Sequence, residues 1–248
     1  MKKLHINELI AKLHQDFQDR LLKSINISQK EDKSLVTDID HSFSQIVKEW
    51  CYELKPHLNF YSEEDHNDFS LPSCILDPID GTKELVKGVP ECCLSMALME
   101  EATVSSSQNV AIIYNPFTGF LTTSLDNFVT HKEPRHEDMK RKLLCFVSRT
   151  EHEEKLFSNF QNENLEIYPK GSIALKLGFL ANRICDVVIS LKPKNVWDIA
   201  AGTVLCDQRN IAFFEQGKRV LKLDKVQYEP PLVWASVDNL AKIGTIKI

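Results

Sequence analysis

Residues 73–82 of the chain read SCILDPIDGT, an apolar run that ends in two aspartates, with proline and isoleucine between them and glycine after them. The apolar part is typical of a buried strand. Because proline has a fixed φ angle and glycine can take backbone angles that other residues avoid, the stretch predicts a strand that turns abruptly into a helix near Thr82. We therefore expect the carboxylates of Asp77 and Asp80 to face one pocket.

Two carboxylates and the backbone carbonyls of such a turn are the hard oxygen ligands that Mg²⁺, Mn²⁺ and Ca²⁺ prefer, and Mg²⁺ is the expected ion. A helix that begins at Thr82 would also present free N–H groups and the positive end of its dipole to a phosphate. An EF-hand calcium loop does not fit, because it needs acids at alternate positions before its glycine and Pro78 and Ile79 occupy that interval. An N-capping role would explain one aspartate but not the pair.

Three further acidic stretches lie elsewhere in the chain. SEED (62–65) follows the short run NFYS, Asp198 lies in VWDIAAG (196–202), and VTDID (36–40) opens a predicted helix. Each has an ordinary explanation by itself, because acidic runs are usually solvated and an aspartate directly before a helix is usually its N-cap. Their importance depends on whether they meet the central motif.

The remaining pattern indicates a layered α/β protein. Apolar residues recur at helical spacing over residues 4–23, including Leu21 and Leu22, and over residues 39–54. Short apolar runs then indicate strands of one sheet, antiparallel in part, with a hairpin turn at NPFTG (115–119), and after residue 142 strands and helices alternate as in an α/β layer. The predicted strands are NFYS, SCILD, LSMALME, NVAIIYNP, GFLTTS, KLLCFVSR, NLEIYP and CDVVIS, and the later predicted helices are EHEEKLFSNF, SIALKLGFLA and DIAAGTVLCDQR.

The most polar stretch, residues 127–142, is the predicted boundary between two halves. We predict an N-terminal α+β domain, 1–138, that carries most of the candidate metal ligands. A C-terminal α/β domain, 139–248, would carry Asp198 and further substrate contacts, with the site in the cleft between the two. A chain of 248 residues can bury a core large enough for this arrangement.

Composition excludes several classes of function. With 30 Lys+Arg and 35 Asp+Glu the net charge is −5, so the chain lacks the basic footprint of a protein that binds nucleic-acid polymers. No apolar stretch approaches the roughly 20 residues of a membrane span, and the N-terminus lacks a secretory signal. The seven cysteines form no C-x-x-C pair and the eight histidines show no metal-ligand spacing, so we expect reduced thiols in a cytoplasmic protein.

In their order along the chain, the four acidic motifs resemble the inositol monophosphatase superfamily of magnesium-dependent, lithium-sensitive sugar and nucleotide phosphatases. LVTDID is similar to the family's early V-T-x-x-D, SEED to its E-E element, LDPIDGT to its central signature and VWDIAAG to its W-D-x-A-A-G element. The resemblance covers nearly the whole chain and implies a layered αβαβα architecture like that of the sugar phosphatases. It also implies hydrolysis of a phosphomonoester with two or three Mg²⁺ ions, for which Mn²⁺ can substitute.

The resemblance implies roles for individual residues as well. Asp40 and Thr82 would activate a water, and Glu63 is predicted to be catalytic together with them. The implied metal ligands are Glu63, Asp77, the Ile79 carbonyl, Asp80 and Asp198. The implied substrate contacts are Glu63, Ile79, Asp80, Gly81, Thr82, Lys83, Ser172, Lys176 and Asp198.

Within the superfamily, GTKEL (81–85), SEED and VSRTEHEE (147–154) look more like the CysQ-type 3'(2'),5'-bisphosphate nucleotidases than like inositol monophosphatases, which commonly carry GTTNF. This favours conversion of adenosine 3',5'-bisphosphate to AMP and phosphate. Lys83 or Lys176 would then meet the second phosphate, with Lys192 and Lys194 as further candidates. The alternatives are that Lys83 and Lys176 are solvated and that Ser172 only caps a helix.

Other functions stay open at this point. The rival substrates are inositol monophosphates and fructose 1,6-bisphosphate, and a rival of another class is a cation-binding relative without turnover. The chain also departs from the family, because it has Asp207-Gln208-Arg209-Asn210 where the family usually has a glycine pair, which affects the final strands and any oligomer contact more than the metal ligands. We expect a monomer or homodimer that acts on a small phosphorylated substrate.

Overall fold

The computed structural model describes residues 3–23, 25–31, 34–65, 68–126, 141–158 and 163–243. The helices in these ranges are α1 (Lys3–Lys23), α2 (Asp38–Leu54), α3 (Thr82–Val86), α4 (Arg149–Glu153), α5 (Ile173–Ala181), α6 (Val196–Asp207) and α7 (Val237–Ile243). The strands are β1 (Ile27–Gln29), β2 (Leu35–Thr37), β3 (Asn59–Ser62), β4 (Ser73–Asp80), β5 (Cys93–Met99), β6 (Val110–Tyr114), β7 (Leu121–Thr123), β8 (Leu143–Ser148), β9 (Leu165–Lys170), β10 (Val187–Ser190), β11 (Lys194–Asn195), β12 (Ala212–Glu215), β13 (Lys218–Arg219), β14 (Gln227–Tyr228) and β15 (Leu232–Ala235).

The first large sheet has the strand order β3-β4-β5-β6-β7. β3 and β4 are parallel and the other pairs are antiparallel, which confirms the predicted partly antiparallel sheet. Asn115 accepts the backbone N–H groups of Phe117 and Thr118 in the turn between β6 and β7, at the predicted hairpin. The strands of this sheet therefore form where short apolar runs alternate with turn residues.

Side chains of the first sheet alternate between two cores, because successive residues of a strand point to opposite faces. Cys74 and Leu76 of β4 pack with α1 and α2, whereas Ile75 between them packs with α5 and α6. The sheet is thus covered on both faces by helices, and β4 and β5 are buried along their whole length except at Asp80.

The second large sheet has the order β13-β12-β15-β10-β8-β9, in which β9, β8 and β10 are parallel and the remaining pairs are antiparallel. Its inner face, with Phe146, Val188 and Trp234, contributes to the core around α5 and α6, and its outer face packs with Ile243 of α7. The layers are therefore helix, sheet, helix, sheet and helix, which confirms the predicted α/β class and αβαβα architecture.

Several predicted boundaries differ from the structure. The helix predicted over EHEEKLFSNF spans only Arg149–Glu153, because Ser148 caps the Glu151 N–H and Lys155 has a left-handed φ of 61° that ends helical geometry. Leu21 and Leu22 are 37% and 86% exposed rather than buried, since steps of four residues drift by about 40° around a helix and carry the end of α1 off its buried face.

The segment 207–210, which replaces the glycine pair of the family that the chain resembles, forms a turn at Asn210. Asn210 has a φ of 60°, an angle typical of glycine that asparagine tolerates better than most residues, and the chain turns there into β12. Most of the predicted boundary, 127–142, and the residue-138 division lie outside the described residues, so the two domains stay a prediction. In the part of the chain that the structure describes, no helix is long and apolar enough to cross a bilayer.

Gly81 provides a test of the turn after β4. It has a φ of 97°, and an added Cβ would lie 2.9 Å from the Glu91 carbonyl oxygen, whereas Gly88 has a φ of 68° with nothing within 4 Å of the same position. We expect Gly88→Ala to lower the free energy of unfolding by about 1 kcal/mol through backbone strain alone, and Gly81→Ala by about 3 kcal/mol or more through strain and steric clash together. Chemical denaturation of both variants measures this difference, and equal losses would contradict the close approach at Gly81.

Candidate active site

Three aspartates, one buried and two half-buried, meet in one cluster, although they come from distant parts of the chain. One carboxylate oxygen each from Asp77, Asp80 and Asp198 lie within 4.8 Å of one another. Asp77 is 1% exposed, and its Oδ1 has no hydrogen-bond partner among the described residues. Buried carboxylates without donors are unfavourable unless a cation compensates them, so this donor set fits a hard divalent ion.

A bulge in β4 turns Asp77 and Asp80 to the same side. Residues three apart on a regular strand point to opposite faces. Here Asp77 pairs with Ser95 and Asp80 with Cys93, so three steps on β4 oppose two on β5 and the alternation is reversed. The pair of carboxylates that the sequence predicted to share a pocket does so because of this irregularity.

Asp80 is held by the start of α5. Its Oδ2 accepts the Ser172 hydroxyl at 2.6 Å and the Ala174 N–H at 2.5 Å. The Ser172 oxygen also accepts the Leu175 N–H at 3.0 Å, so Ser172 caps α5 and binds Asp80 at the same time. The capping interpretation of Ser172 is therefore confirmed, its predicted contact with the substrate stays a prediction, and Oδ1 of Asp80 stays available.

Asp198 lies inside the first turn of α6 rather than before the helix. The helix begins at Val196 with Asn195 as its N-cap, and Asp198 Oδ2 accepts the Asn195 N–H at 2.9 Å in a capping box. The N-cap interpretation of Asp198 was wrong by three residues, because residues preceding the apolar run already have helical geometry. α6 also packs very closely on α5, since a Cβ on Gly202 would lie 2.4 Å from Leu177 Cβ.

Asp40 and Thr82 form a buried hydrogen-bonded pair beside the cluster. Asp40 is 1% exposed, and its Oδ2 accepts the Thr37 N–H at 2.8 Å and the Thr37 hydroxyl at 2.5 Å. Thr82 Oγ1 lies 3.1 Å from Asp40 Oδ1 and 3.0 Å from the Ile79 carbonyl oxygen. Because a hydroxyl has one proton to donate, Asp40 and Ile79 compete for it.

Glu63 lines the same cleft but is not one of the three clustered carboxylates. It directly follows β3, and its Oε1 accepts the ammonium of Lys30 at 2.9 Å, while the same ammonium donates to Glu64 at 2.6 Å. The acidic run SEED is therefore not simply solvated, since one of its carboxylates faces the site.

The electrostatics of the cluster show that it favours a cation. Burial raises the pKa of Asp77 well above its usual range, with further contributions from Glu63, Asp80 and Asp198. Burial also raises the pKa of Asp80, and it raises the pKa of Asp198 to about 8, with repulsion by Asp80 as the next cause. These groups therefore bind protons more readily than solvated carboxylates do, and a positive ion can replace those protons.

The predicted substrate lysines have different environments. Lys83 is exposed on α3 and lines the cleft. Lys176 is 2% exposed, so the solvated interpretation is wrong for it; it donates to the carbonyls of Lys170 and Gly171, each at 3.2 Å, and burial lowers its pKa to about 8. Lys192 pairs with Glu154 and is not among the described residues that line the cleft, whereas Lys194 lines it.

Gly81 and the start of α3 also line the cleft, as predicted. However, α3 spans only the five residues Thr82–Val86, so its aligned peptide dipoles are few and the dipole argument for phosphate binding weakens. The backbone N–H groups of the turn remain as the predicted phosphate donors.

Sequence reasoning missed Arg149 and Lys170, which line the cleft from the ends of β8 and β9. Both bind Glu91, Lys170 at 3.1 Å, and the same carboxylate accepts the Gly171 N–H at 2.7 Å. These residues have no local motif. The parallel pairing of Ser148 with Lys170 is what brings the two cations together.

Comparison with known proteins agrees with this geometry. Residues 4–210 match the inositol monophosphatase family. The chain belongs to this family. Its members are phosphatases, so the protein is a phosphomonoester hydrolase that depends on a divalent metal ion, and the family predicted from the four motifs is confirmed.

Individual members of the inositol monophosphatase family do not agree on a substrate. Over 192 residues the chain is 26% identical to the 3'(2'),5'-bisphosphate nucleotidase CysQ of Buchnera aphidicola, covering 73% of this chain and 71% of that protein. It is 27% identical over 209 residues to an inositol monophosphatase of Mesembryanthemum crystallinum, covering 77% and 76%. A solved IMPase/NADP phosphatase complexed with Mg²⁺ and phosphate, 18% identical, has a TM-score of 0.72 and covers 96% of this chain and 91% of that one, which supports the fold.

The raised pKa values predict how stability depends on pH in the metal-free protein. The Asp198 carboxyl has a pKa of about 8 in the folded protein and about 3.9 in an unfolded chain, so between these pH values only the folded state binds the proton. This proton stabilises the fold, and the stabilisation is lost as the pH rises from about 4 to about 8. We expect the melting temperature in a chelator to fall from pH 5 to about pH 8. Asp198→Asn should flatten this dependence and melt higher than the wild type near pH 8.

The same melting experiment tests the metal site. Millimolar Mg²⁺ should raise the melting temperature of the wild type near pH 8 and have a much smaller effect on Asp198→Asn. Asp65→Asn, which changes a surface carboxylate paired with Lys48, is the control and should respond to Mg²⁺ like the wild type. An equal response of Asp198→Asn would contradict its role as a ligand.

Proposed function

We propose that the protein is a 3'(2'),5'-bisphosphate nucleotidase that converts adenosine 3',5'-bisphosphate to AMP and phosphate. The observation that carries this proposal is the concentration of cations around the acidic cluster. Lys83, Arg149, Lys170, Lys176 and Lys194 all line the cleft that contains Asp77, Asp80 and Asp198. One phosphate on a metal cluster needs little additional positive charge. Several cationic side chains along the same cleft therefore favour a substrate with two phosphates.

The similarity to CysQ of Buchnera aphidicola supports the same substrate class, and GTKEL agrees with it. In this proposal Asp77, Asp80 and Asp198, with Glu63 and the Ile79 carbonyl, hold two or three Mg²⁺ ions, for which Mn²⁺ can substitute. When bound, such ions polarise the phosphoryl group and lower the pKa of water. Lithium sensitivity belongs to the same proposal.

The protein's own residues orient the nucleophile. Thr82 donates its hydroxyl proton to Asp40, which leaves the lone pairs of Thr82 Oγ1 to accept a hydrogen bond from a water. Burial raises the pKa of Asp40, so this carboxylate is a better proton acceptor than a solvated one. Asp40 would thus take the proton of the water through the Thr82 hydroxyl as the water attacks phosphorus. The bond to the ribose 3'-oxygen breaks, and that oxygen takes a proton from solvent and leaves as the 3'-hydroxyl of AMP.

Gly81 and Thr82 would bind the transferred phosphate through backbone N–H groups, and Ser172 would border the sugar. A cytoplasmic location belongs to the proposal, because all seven cysteines are buried free thiols. Whether the protein acts as a monomer or a homodimer remains a prediction.

A second candidate activity is the hydrolysis of inositol monophosphates, which the Mesembryanthemum crystallinum relative favours. Steady-state rates with saturating Mg²⁺ on adenosine 3',5'-bisphosphate, inositol monophosphate and fructose 1,6-bisphosphate separate the possibilities. We expect kcat/KM to be highest for the nucleotide, by about tenfold or more, because each additional ion pair contributes about 1.5 kcal/mol or more. A preference for inositol monophosphate would refute the nucleotidase proposal and leave the family assignment unaffected.

Asp80→Asn tests the catalytic centre. The amide keeps the shape of the side chain but removes a charge from the cluster, so kcat should fall by about a hundredfold or more while the variant stays folded. Circular dichroism checks the fold, and Asp65→Asn is again the surface control. Near-normal turnover of Asp80→Asn would show that this carboxylate is not a required ligand.

A further inference from the structure

Glu151 is a buried carboxylate that the catalytic proposal does not use. It is 1% exposed and lies in α4, where the Ser148 hydroxyl oxygen accepts its N–H at 3.3 Å. Its two oxygens accept the Ser190 hydroxyl at 2.8 Å and the Leu191 N–H at 2.7 Å. These bonds tie α4 to the end of β10, and a charge in such a position also needs a compensating cation.

The compensating cation is Lys194. Its Nζ lies 3.4 Å from Glu151 Oε1, a longer contact than the other two, and its side chain is 17% exposed and lines the cleft. Among the described residues Glu151 is the single acceptor within hydrogen-bond distance of this ammonium. Since an ammonium carries three N–H donors, at least two remain for a ligand in the cleft.

The other cleft cations are held differently. Arg149 and Lys170 share one acceptor, the Glu91 carboxylate, and keep other N–H donors, whereas Lys176 is 2% exposed and donates to two backbone carbonyls. Lys83 is exposed, so a ligand would have to order a long side chain that nothing holds among the described residues. Lys194 combines available donors with a fixed position.

The position of Lys194 near the acidic cluster indicates which group of a ligand its ammonium would bind. Lys194 lines the same cleft as Asp77, Asp80 and Asp198. Divalent ions in that cluster would repel an ammonium unless an anionic group lay between them. The transferred phosphoryl group must lie against the ions themselves, which leaves a second anionic group of the substrate for Lys194.

We propose that Lys194 binds the phosphate of the substrate that is not transferred, and that Glu151 is a positioning residue that holds Lys194 for this contact. The inference rests on the proposed function, because only a bisphosphate has such a group. It gives Glu151 of α4 and Lys194 of β11 a role in that function.

The test separates the two phosphate positions by inhibition. Hydrolysis of p-nitrophenyl phosphate is followed with Mg²⁺ in the presence of adenosine 5'-monophosphate, which carries only the phosphate that is not transferred, or of inorganic phosphate, which carries only the transferred group. Lys194→Met should raise the inhibition constant for adenosine 5'-monophosphate about tenfold or more, as expected for loss of a charged hydrogen bond, and that for phosphate less than about threefold. Lys192→Met, which changes a lysine two residues before Lys194 that pairs with Glu154, should match the wild type in both.

Other outcomes overturn the inference. Equal weakening of both inhibitors by Lys194→Met would place Lys194 at the transferred group, and no change in either would remove it from the site. In both cases inhibition of the wild type by adenosine 5'-monophosphate would leave the proposed function standing. If the wild type is not inhibited by adenosine 5'-monophosphate and prefers inositol monophosphate, the proposed function is wrong and the inference with it.

Glu151→Gln tests the positioning role. The amide oxygen can still accept the Leu191 N–H, but the charge that holds Lys194 is lost. We expect the inhibition constant for adenosine 5'-monophosphate to rise several-fold, and the double variant with Lys194→Met to be no worse than Lys194→Met alone. Additive effects would show a merely structural role. If Glu151→Gln does not fold, the half-buried Lys194→Met still decides the binding contact.

Discussion

Much of this structure depends on holding three carboxylates close together although they repel one another. One oxygen each from Asp77, Asp80 and Asp198 lie within 4.8 Å of one another; Asp77 is buried, and Asp80 and Asp198 are half-buried. Asp80 and Asp198 each use one oxygen for hydrogen bonds from a helix start, which leaves the other oxygen available. The fold thus holds the acids in position by bonds that do not neutralise them, and a divalent ion is the natural partner for the remaining charge.

The N-termini of α2 and α6 each hold one acidic side chain of the site in position. Asp40 in α2 and Asp198 in α6 are both at the N3 position of a capping box, where a carboxylate reaches back to the N-cap N–H. Capping fixes the side-chain rotamer, and the positive end of the helix stabilises the negative charge. The ordinary capping explanation and the functional one are therefore compatible at both residues, because the bond that caps the helix also aims the carboxylate.

The two halves of the cleft contribute different chemistry. The first sheet and its helices supply Asp40, Asp77 and Asp80, whereas the second sheet supplies Arg149 and Lys170 at strand ends and Lys194 after β10. Glu91 joins the two, since it follows α3 and binds Arg149, Lys170 and the Gly171 N–H. The acidic residues belong to the motifs that carry the family resemblance, and the proposed choice of substrate depends on how these cations are shared between acids of the protein and anions of the ligand.

The sequence by itself determined the features that depend on neighbouring residues. The strand and turn at SCILDPIDGT, the helices over residues 3–23 and 38–54, the hairpin at residue 115 and the layered α/β class all follow from local periodicity, proline and glycine. The four acidic motifs were also visible, because each is continuous in sequence. The bulge that turns Asp77 and Asp80 to one side was not, since a register shift exists only relative to β5.

Tertiary structure alone decided which residues meet across long separations. The bond between Glu151 and Lys194 and the sharing of Glu91 by Arg149 and Lys170 join residues that are distant in sequence. The burial of Lys176 likewise depends on the packing of α5 between the two sheets. Local propensity depends on a few neighbouring residues, whereas these contacts arise only when two sheets and the helices between them have packed. The physical reason is that the burial of a charge, and hence its partner and its protonation, is a property of the assembled core and not of the segment that carries it.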